Sequence, residues 1–187
     1  MKPHFQNIFL SVLLLFSYSI FGQDISLFQQ FNGRYDFVFV GNTLNPIENS
    51  FQDIPAVYTT SSANLNLNSD DVIEKAYLYW AGSGNGDFEV NLNGTALTAS
   101  RTFGLTQATS GLPFFSAFVE VTNLVQTTGN GLYTLADLDV SDVLTPSAYC
   151  NNGTNFAGWA LVIVYSDSSL PLNQLNVYDG LDYVPTD

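Results

Sequence analysis

Along much of this chain, hydrophobic residues recur at every second position in short runs broken by Gly, Asn, Ser, Asp and Pro. Such alternation puts one set of side chains on each face of an extended strand. The run RYDFVFV (34–40) places Tyr35, Phe37 and Phe39 on one face, and GNTLNP ends it. Further strand candidates are 54–59, 72–81, 87–93, 95–103, 114–121, 131–138, 157–166 and 174–178. Residues 122–125 read as one short helical turn, and no other segment has helical periodicity. Nine short strands at this spacing predict an all-β fold, an antiparallel β-sandwich or barrel.

Two turns can be specified. The glycines of SGNGD (83–87) suit the positive φ of a hairpin joining 72–81 to 87–93. Asn93-Gly94, between EVNLN and TALTA, is a strong two-residue hairpin signal. Together they predict a three-strand meander from Val72 to about Phe103. Two strands carry bulk on both faces. AYLYWAG (76–82) sets Ala76, Leu78 and Trp80 against Tyr77 and Tyr79. GWALVIVYSD sets Trp159, Leu161, Ile163 and Tyr165 against Ala160, Val162 and Val164. Such strands are covered on both sides or lie centrally under loops, and Leu78 and Trp80 are expected in the inter-sheet core.

The N-terminus breaks this pattern. The unbroken apolar run IFLSVLLLFSYSIF (8–21) is shorter than the roughly 20 residues a bilayer span needs and suits a signal peptide. Cleavage near Gly22 or Gln23 is expected, giving a signal peptide over 1–23 and one β-sandwich domain over 24–187. A content of 46% hydrophobic and 14% aromatic residues excludes disorder. The chain therefore reads as secreted or displayed at the cell surface, with no integral membrane segment after cleavage. The tail VPTD lacks a terminal strand or anchor, so the sandwich is expected to be incomplete at its C-terminus and to open a longer polypeptide.

Signal removal leaves Arg34, Lys75 and Arg101 against 17 acidic residues, a formal net charge of −14. That balance repels phosphate backbones and anionic lipids, so nucleic acid is not an expected partner. It also removes His4, the only histidine, which rules out a Ser-His-Asp triad, a Cys-His pair and, with only Cys150, a conventional zinc site. Cys150 has no second cysteine to bridge; it is buried or its partner lies on another chain or segment. GSGNG (82–86) resembles a dinucleotide loop but is followed by Asp87 and a strand.

Three chemistries stay open. Asp137, Asp139 and Asp142, with Ser141 between them, offer hard oxygens at near-alternate positions for calcium, as does NSDD (68–71). The bland reading is an Asp-capped turn at a strand end, and no cofactor is otherwise implied. Tyr77 and Tyr79, with Trp80, are candidates for a sugar-stacking platform; the alternative is packing between sheets. Lys75, beside Glu74, is a snorkelling surface lysine or, less expectedly, one partner of an intramolecular amide cross-link.

Three segments then carry a resemblance: EKAYLYWAGSG, FVEVTNLVQTTGNGLYTLADLDV and FAGWALVIVYSDSSLPLNQLNVYDGL. In that order they resemble the N-terminal β-domain of large bacterial gliding-motility-associated surface proteins, exported by type IX secretion and adhesin-like. The resemblance spans about 28–187. It implies a jelly-roll-like sandwich without established catalytic residues. The expected function is a non-enzymatic cell-surface adhesion module, with surface glycans or other surface proteins as partners. A carbohydrate-binding module using exposed aromatics and calcium is the alternative. A glycosidase built on two carboxylates comes third.

Overall fold

Asn93 and Gly94 both take positive φ (51° and 82°), the requirement of a type I′ turn. They join β5 (Glu89–Leu92) to β6 (Thr95–Thr98). In the computed structural model, which describes residues 25–47, 56–144 and 148–182, this hairpin is the innermost turn of a nested antiparallel series. Around it β4 (Val72–Ser83) pairs with β8 (Pro113–Glu120), and β3 (Thr60–Leu65) pairs with β9 (Gly131–Ala136). Outside these, β2 (Tyr35–Thr43) pairs with β10 (Ala157–Ser166), and β1 (Ser26–Gly33) with β11 (Asn173–Asp179). A long hairpin rolled up in this order is a jelly roll, so the all-β sandwich expectation holds.

Rolling sends successive pairs to different sheets. One sheet has the order β2-β10-β4-β8-β7, with β7 (Arg101–Thr106) at its edge; the other has the order β3-β9-β5-β6. Their facing sides enclose the main core. Val40, Leu78, Trp80, Phe115, Leu161 and Ile163 of the first sheet pack with Leu65, Leu92, Tyr133 and Leu135 of the second. Trp80 and Trp159 are register partners on adjacent strands, 1% and 5% exposed. Burial obliges each indole N–H to find an acceptor. Trp80 Nε1 donates to the Asp87 carbonyl at 2.8 Å, and Trp159 Nε1 to Ser61 Oγ at 2.9 Å.

The five-stranded sheet is also covered on its other face. There the ribbon of β1 and β11 lays Phe28, Phe31, Leu175 and Val177 over Tyr77, Phe118, Val162 and Val164. β4 is therefore the middle of three layers, and this is why AYLYWAG carries bulk on both sides. A β-bulge keeps both faces in phase. The register steps from Val164 opposite Lys75 to Tyr165 opposite Ile73, so Glu74 is an extra residue. The step returns Ile73 to the main core instead of the Tyr77 face.

Several boundaries depart from the sequence reading. The predicted three-strand meander is not formed, because β4 and β5 belong to different sheets. SGNGD bends as expected, with Gly84 and Gly86 at φ 98° and 111°, but it carries the chain across the sandwich. The expected strand 95–103 is two strands. Between them Ala99 N–H still bonds Phe88 O, while Ser100 N–H has moved to Phe118 O (2.9 and 2.8 Å). β1 was not expected. The helical turn at 122–125 is a longer helix, Thr122–Thr128, and a second short helix spans Ala148–Asn152. Of the candidate 54–59, residues 54–55 lie outside the described residues and 56–59 precede β3. The signal peptide over 1–23, with His4, and the tail VPTD also lie outside the described residues.

Candidate functional site

The ribbon covers only part of its face of the five-stranded sheet. β1 lies over β4 and β8, where the Phe28 ring meets Tyr77 and Phe118 edge-on at 5.5 and 5.1 Å. β11 lies beside it, toward β10. Past β11, the outward side chains of β10 and β2 floor an open cleft of about 420 Å³. Phe37, Phe39, Ala160, Val162 and Val164 contribute that floor; Leu175 to Gly180 form the wall, and Tyr79 lines it too. Phe37 and Phe39 are 46% and 63% exposed, with rings edge-to-face at 5.3 Å. Alternation accounts for this: Val38 and Val40 pack on the main core, so Phe37 and Phe39 point the other way.

One polar knot fastens the ribbon beside this cleft. The Asp179 side chain is only 5% exposed. Its carboxylate accepts both Arg101 Nη groups, with Nη1 to Oδ1 at 3.2 Å, and the Tyr79 hydroxyl at 3.1 Å. The guanidinium carbon sits 3.9 Å from the Phe28 ring centroid and 4.2 Å from that of Phe118. Stacking of this kind suits the weakly hydrated planar guanidinium. Arg101 Nε is buried among these rings without a hydrogen-bond partner. Burial, then the Asp179 charge and hydrogen bond, push the Tyr79 hydroxyl well above its ordinary pKa, with Arg101 opposing. Tyr77 is pushed up to about 12 by burial, with Glu120 adding and Arg101 opposing. Both phenols are therefore neutral at physiological pH, and the Asp179 carboxylate is committed to an arginine and a tyrosine.

The structure separates the residues singled out from sequence. Tyr77 is 1% exposed and roofed by Phe28, so the stacking role suggested for it is corrected: its faces meet protein. Trp80 is equally buried. Tyr79 is half-buried and reaches the cleft. Asp137, Asp139 and Asp142 serve turns or face solvent. Asp139 Oδ1 accepts the Ser141 N–H at 2.8 Å, and hydrogen bonding from Ser141 holds its carboxyl below the usual range. Asp137 takes φ 67° where the chain leaves β9. Among the described residues no three acidic, histidine or cysteine side chains are grouped to hold a metal ion. In the NSDD segment Asp71 Oδ2 accepts the Asn68 N–H at 2.8 Å while the Asp71 N–H donates to the Asn68 carbonyl at 3.3 Å, closing a tight turn. Lys75 pairs with Glu120 at 2.6 Å, both side chains more than a third exposed. Cys150 lies in the short helix and its thiol contacts the Leu144 carbonyl.

Arg101 and Asp179 were missed as a site because their pairing joins positions 78 residues apart. A signal did exist: a lone arginine starting a strand (RTF) in a chain with few cations. Phe37 and Phe39 were read as a strand face, and only the extent of the ribbon decides that this face is open. Comparison with known proteins gave no match to a family model, a curated protein or a solved structure. Among the described residues, no helix is long and apolar enough to cross a membrane.

Proposed function

We propose that this chain is a non-enzymatic, exported cell-surface module of the adhesion type, which binds a partner in the cleft between β2 and β11. One observation carries the reading. The apolar cleft presents exposed Phe37, Phe39 and Tyr178 beside more deeply buried aliphatic side chains, and Asp179, its one carboxylate, is already neutralised by Arg101 and hydrogen-bonded by Tyr79. A carboxylate held this way is unsuited to general acid or base work, whereas exposed Phe37 and Phe39 suit binding. The acidic surface and N-terminal apolar run support export and display. Surface glycans or other surface proteins are the partner classes.

The test pairs retention with turnover. The chain is applied to immobilised polysaccharides and surface-protein extracts, with and without calcium, while glycoside release is assayed in parallel. Retention that weakens in Phe39→Ser, with no released sugar, is expected. Hydrolysis of any glycoside by the purified chain would overturn the non-enzymatic reading. Labelling of intact producing cells with an antibody to the chain should give surface signal, and signal only after lysis would overturn display.

A further inference from the structure

The layer formed by β1 and β11 leaves the Phe37 to Phe39 part of β2 uncovered. β11 pairs with β1 on one side only, so among the described residues its other edge carries unpaired backbone groups along 173–179. That edge borders the cleft, whose floor of Phe37, Phe39 and Val162 continues the apolar surface already buried under the ribbon. An unpaired edge above an exposed apolar floor is the arrangement that accepts an added strand: backbone bonds supply affinity, and alternate side chains fill the floor. Resting on the proposed binding role of this cleft, we infer that its occupant is an extended polypeptide strand of another protein, added to the β11 edge. Alternate residues of that strand are apolar and face Phe37 and Phe39; the others are basic and face outward.

The chain-wide charge sets the basic preference, since the one carboxylate in the cleft lining, Asp179, is already paired with Arg101. Each of the three cations among the described residues is taken: Lys75 by Glu120, Arg101 by Asp179, and Arg34 by the Leu170 carbonyl. The chain keeps a large acidic excess that an incoming strand can neutralise. A second copy of this chain does not fit the same place. The five-stranded sheet runs on beneath the cleft to β2, past the β11 edge, so a copy pairing through its own β11 would bring a second sheet into the space of the first. The last described residues lie away from the cleft. Leu181 and Asp182 line a separate recess with Leu105 and Phe114 on the β7–β8 side.

The probe is a decapeptide alternating valine and lysine, titrated into the isotope-labelled chain and followed by amide exchange and chemical shift. Controls are the same peptide N-methylated at alternate residues, a valine–glutamate version and a scrambled version with clustered valines. The expected result is at least ten-fold slower exchange at those β11 amides that point away from β1. Affinity should fall at least ten-fold in Phe39→Ser and with each control peptide. Four results would overturn the proposal: no binding, equal binding of the N-methylated peptide, protection at the β6 or β7 edge instead, or a dimer in sedimentation that buries Phe39. Glycan retention that depends on Phe39, without peptide binding, removes the strand but leaves the binding module standing. Loss of both removes the binding module as well.

Discussion

The two faces of the five-stranded sheet are built by different rules. Toward the four-stranded sheet, Leu78, Trp80, Leu161 and Ile163 are buried in a continuous apolar core whose polar tips are each bonded. Toward the ribbon, a smaller cluster around Tyr77, Phe118, Val162 and Val164 is closed on one side by a partly buried ion pair and left open on the other. The first face is specified by shape and hydrophobicity, so it supplies stability to the whole fold. The second combines a small apolar cluster with one charge pair, buried at Asp179 and a third exposed at Arg101, to hold two strands in place. Buried ion pairs add little net stability but cost much when one member is removed. The ribbon should therefore loosen as a unit while the sandwich beneath it persists.

The largest expected effect comes from the complete face. Trp80→Ala leaves a cavity and an unpaired Asp87 carbonyl, and should cost about 3–5 kcal/mol in chemical denaturation, with cooperative loss of the whole fold. Arg101→Met should cost less, about 2–3 kcal/mol, because the arginine is a third exposed while Asp179 stays buried with only Tyr79. Its distinguishing mark is location: faster exchange in β1 and β11, with β4 and β10 unaffected. A loss spread evenly over all strands would erase the difference between the faces.

Alkaline pH probes the ribbon side most strongly, with smaller upward shifts by burial at Tyr133, Tyr149 and Tyr165 elsewhere. Tyr77 and Tyr79 have folded-state pKa values raised above their unfolded values, mainly by burial. A raised pKa gives stability that is complete below the unfolded value, near 10, and lost as pH rises through the folded one. Thermal melts should stay flat to about pH 10 and then fall, with the Tyr77 contribution ending near pH 12. Tyr79→Phe should make that fall shallower, and an unchanged slope would contradict the assignment. The smallest effect is at Lys75. Its pair with Glu120 is well exposed, so Lys75→Met should cost no more than about 0.5 kcal/mol and vanish into salt screening. Glu120 is held below its ordinary pKa first by the Lys75 hydrogen bond, so that small contribution is present above the unfolded carboxyl value and lost as pH falls through the folded one.

How far the sequence could be read follows the same division. The complete face was legible, because alternation around the Asn93-Gly94 turn identifies the strands and both sides of AYLYWAG and GWALVIVYS. The edges of that reading failed where a strand changes partner without a glycine or proline, as at Ala99-Ser100. β1 failed for another reason. A register shift between Leu27 and Gln29 makes Phe28 and Phe31, three apart, face the same way, which hides the period of two. The candidate site was legible only in fragments. Tyr79 and the Phe37/Phe39 face were visible, but which aromatic is roofed depends on where the ribbon ends. That depends in turn on Arg101 meeting Asp179 across the rolled chain, a contact that no local pattern encodes.

Native-state amide exchange on the unmodified chain tests the account most directly. The free energies of opening at β4 and β10 should equal that of global unfolding. Those of β1 and β11 should be lower and equal to one another, marking a ribbon that opens as one piece. Uniform opening energies over all four strands, or separate values for β1 and β11, would contradict it.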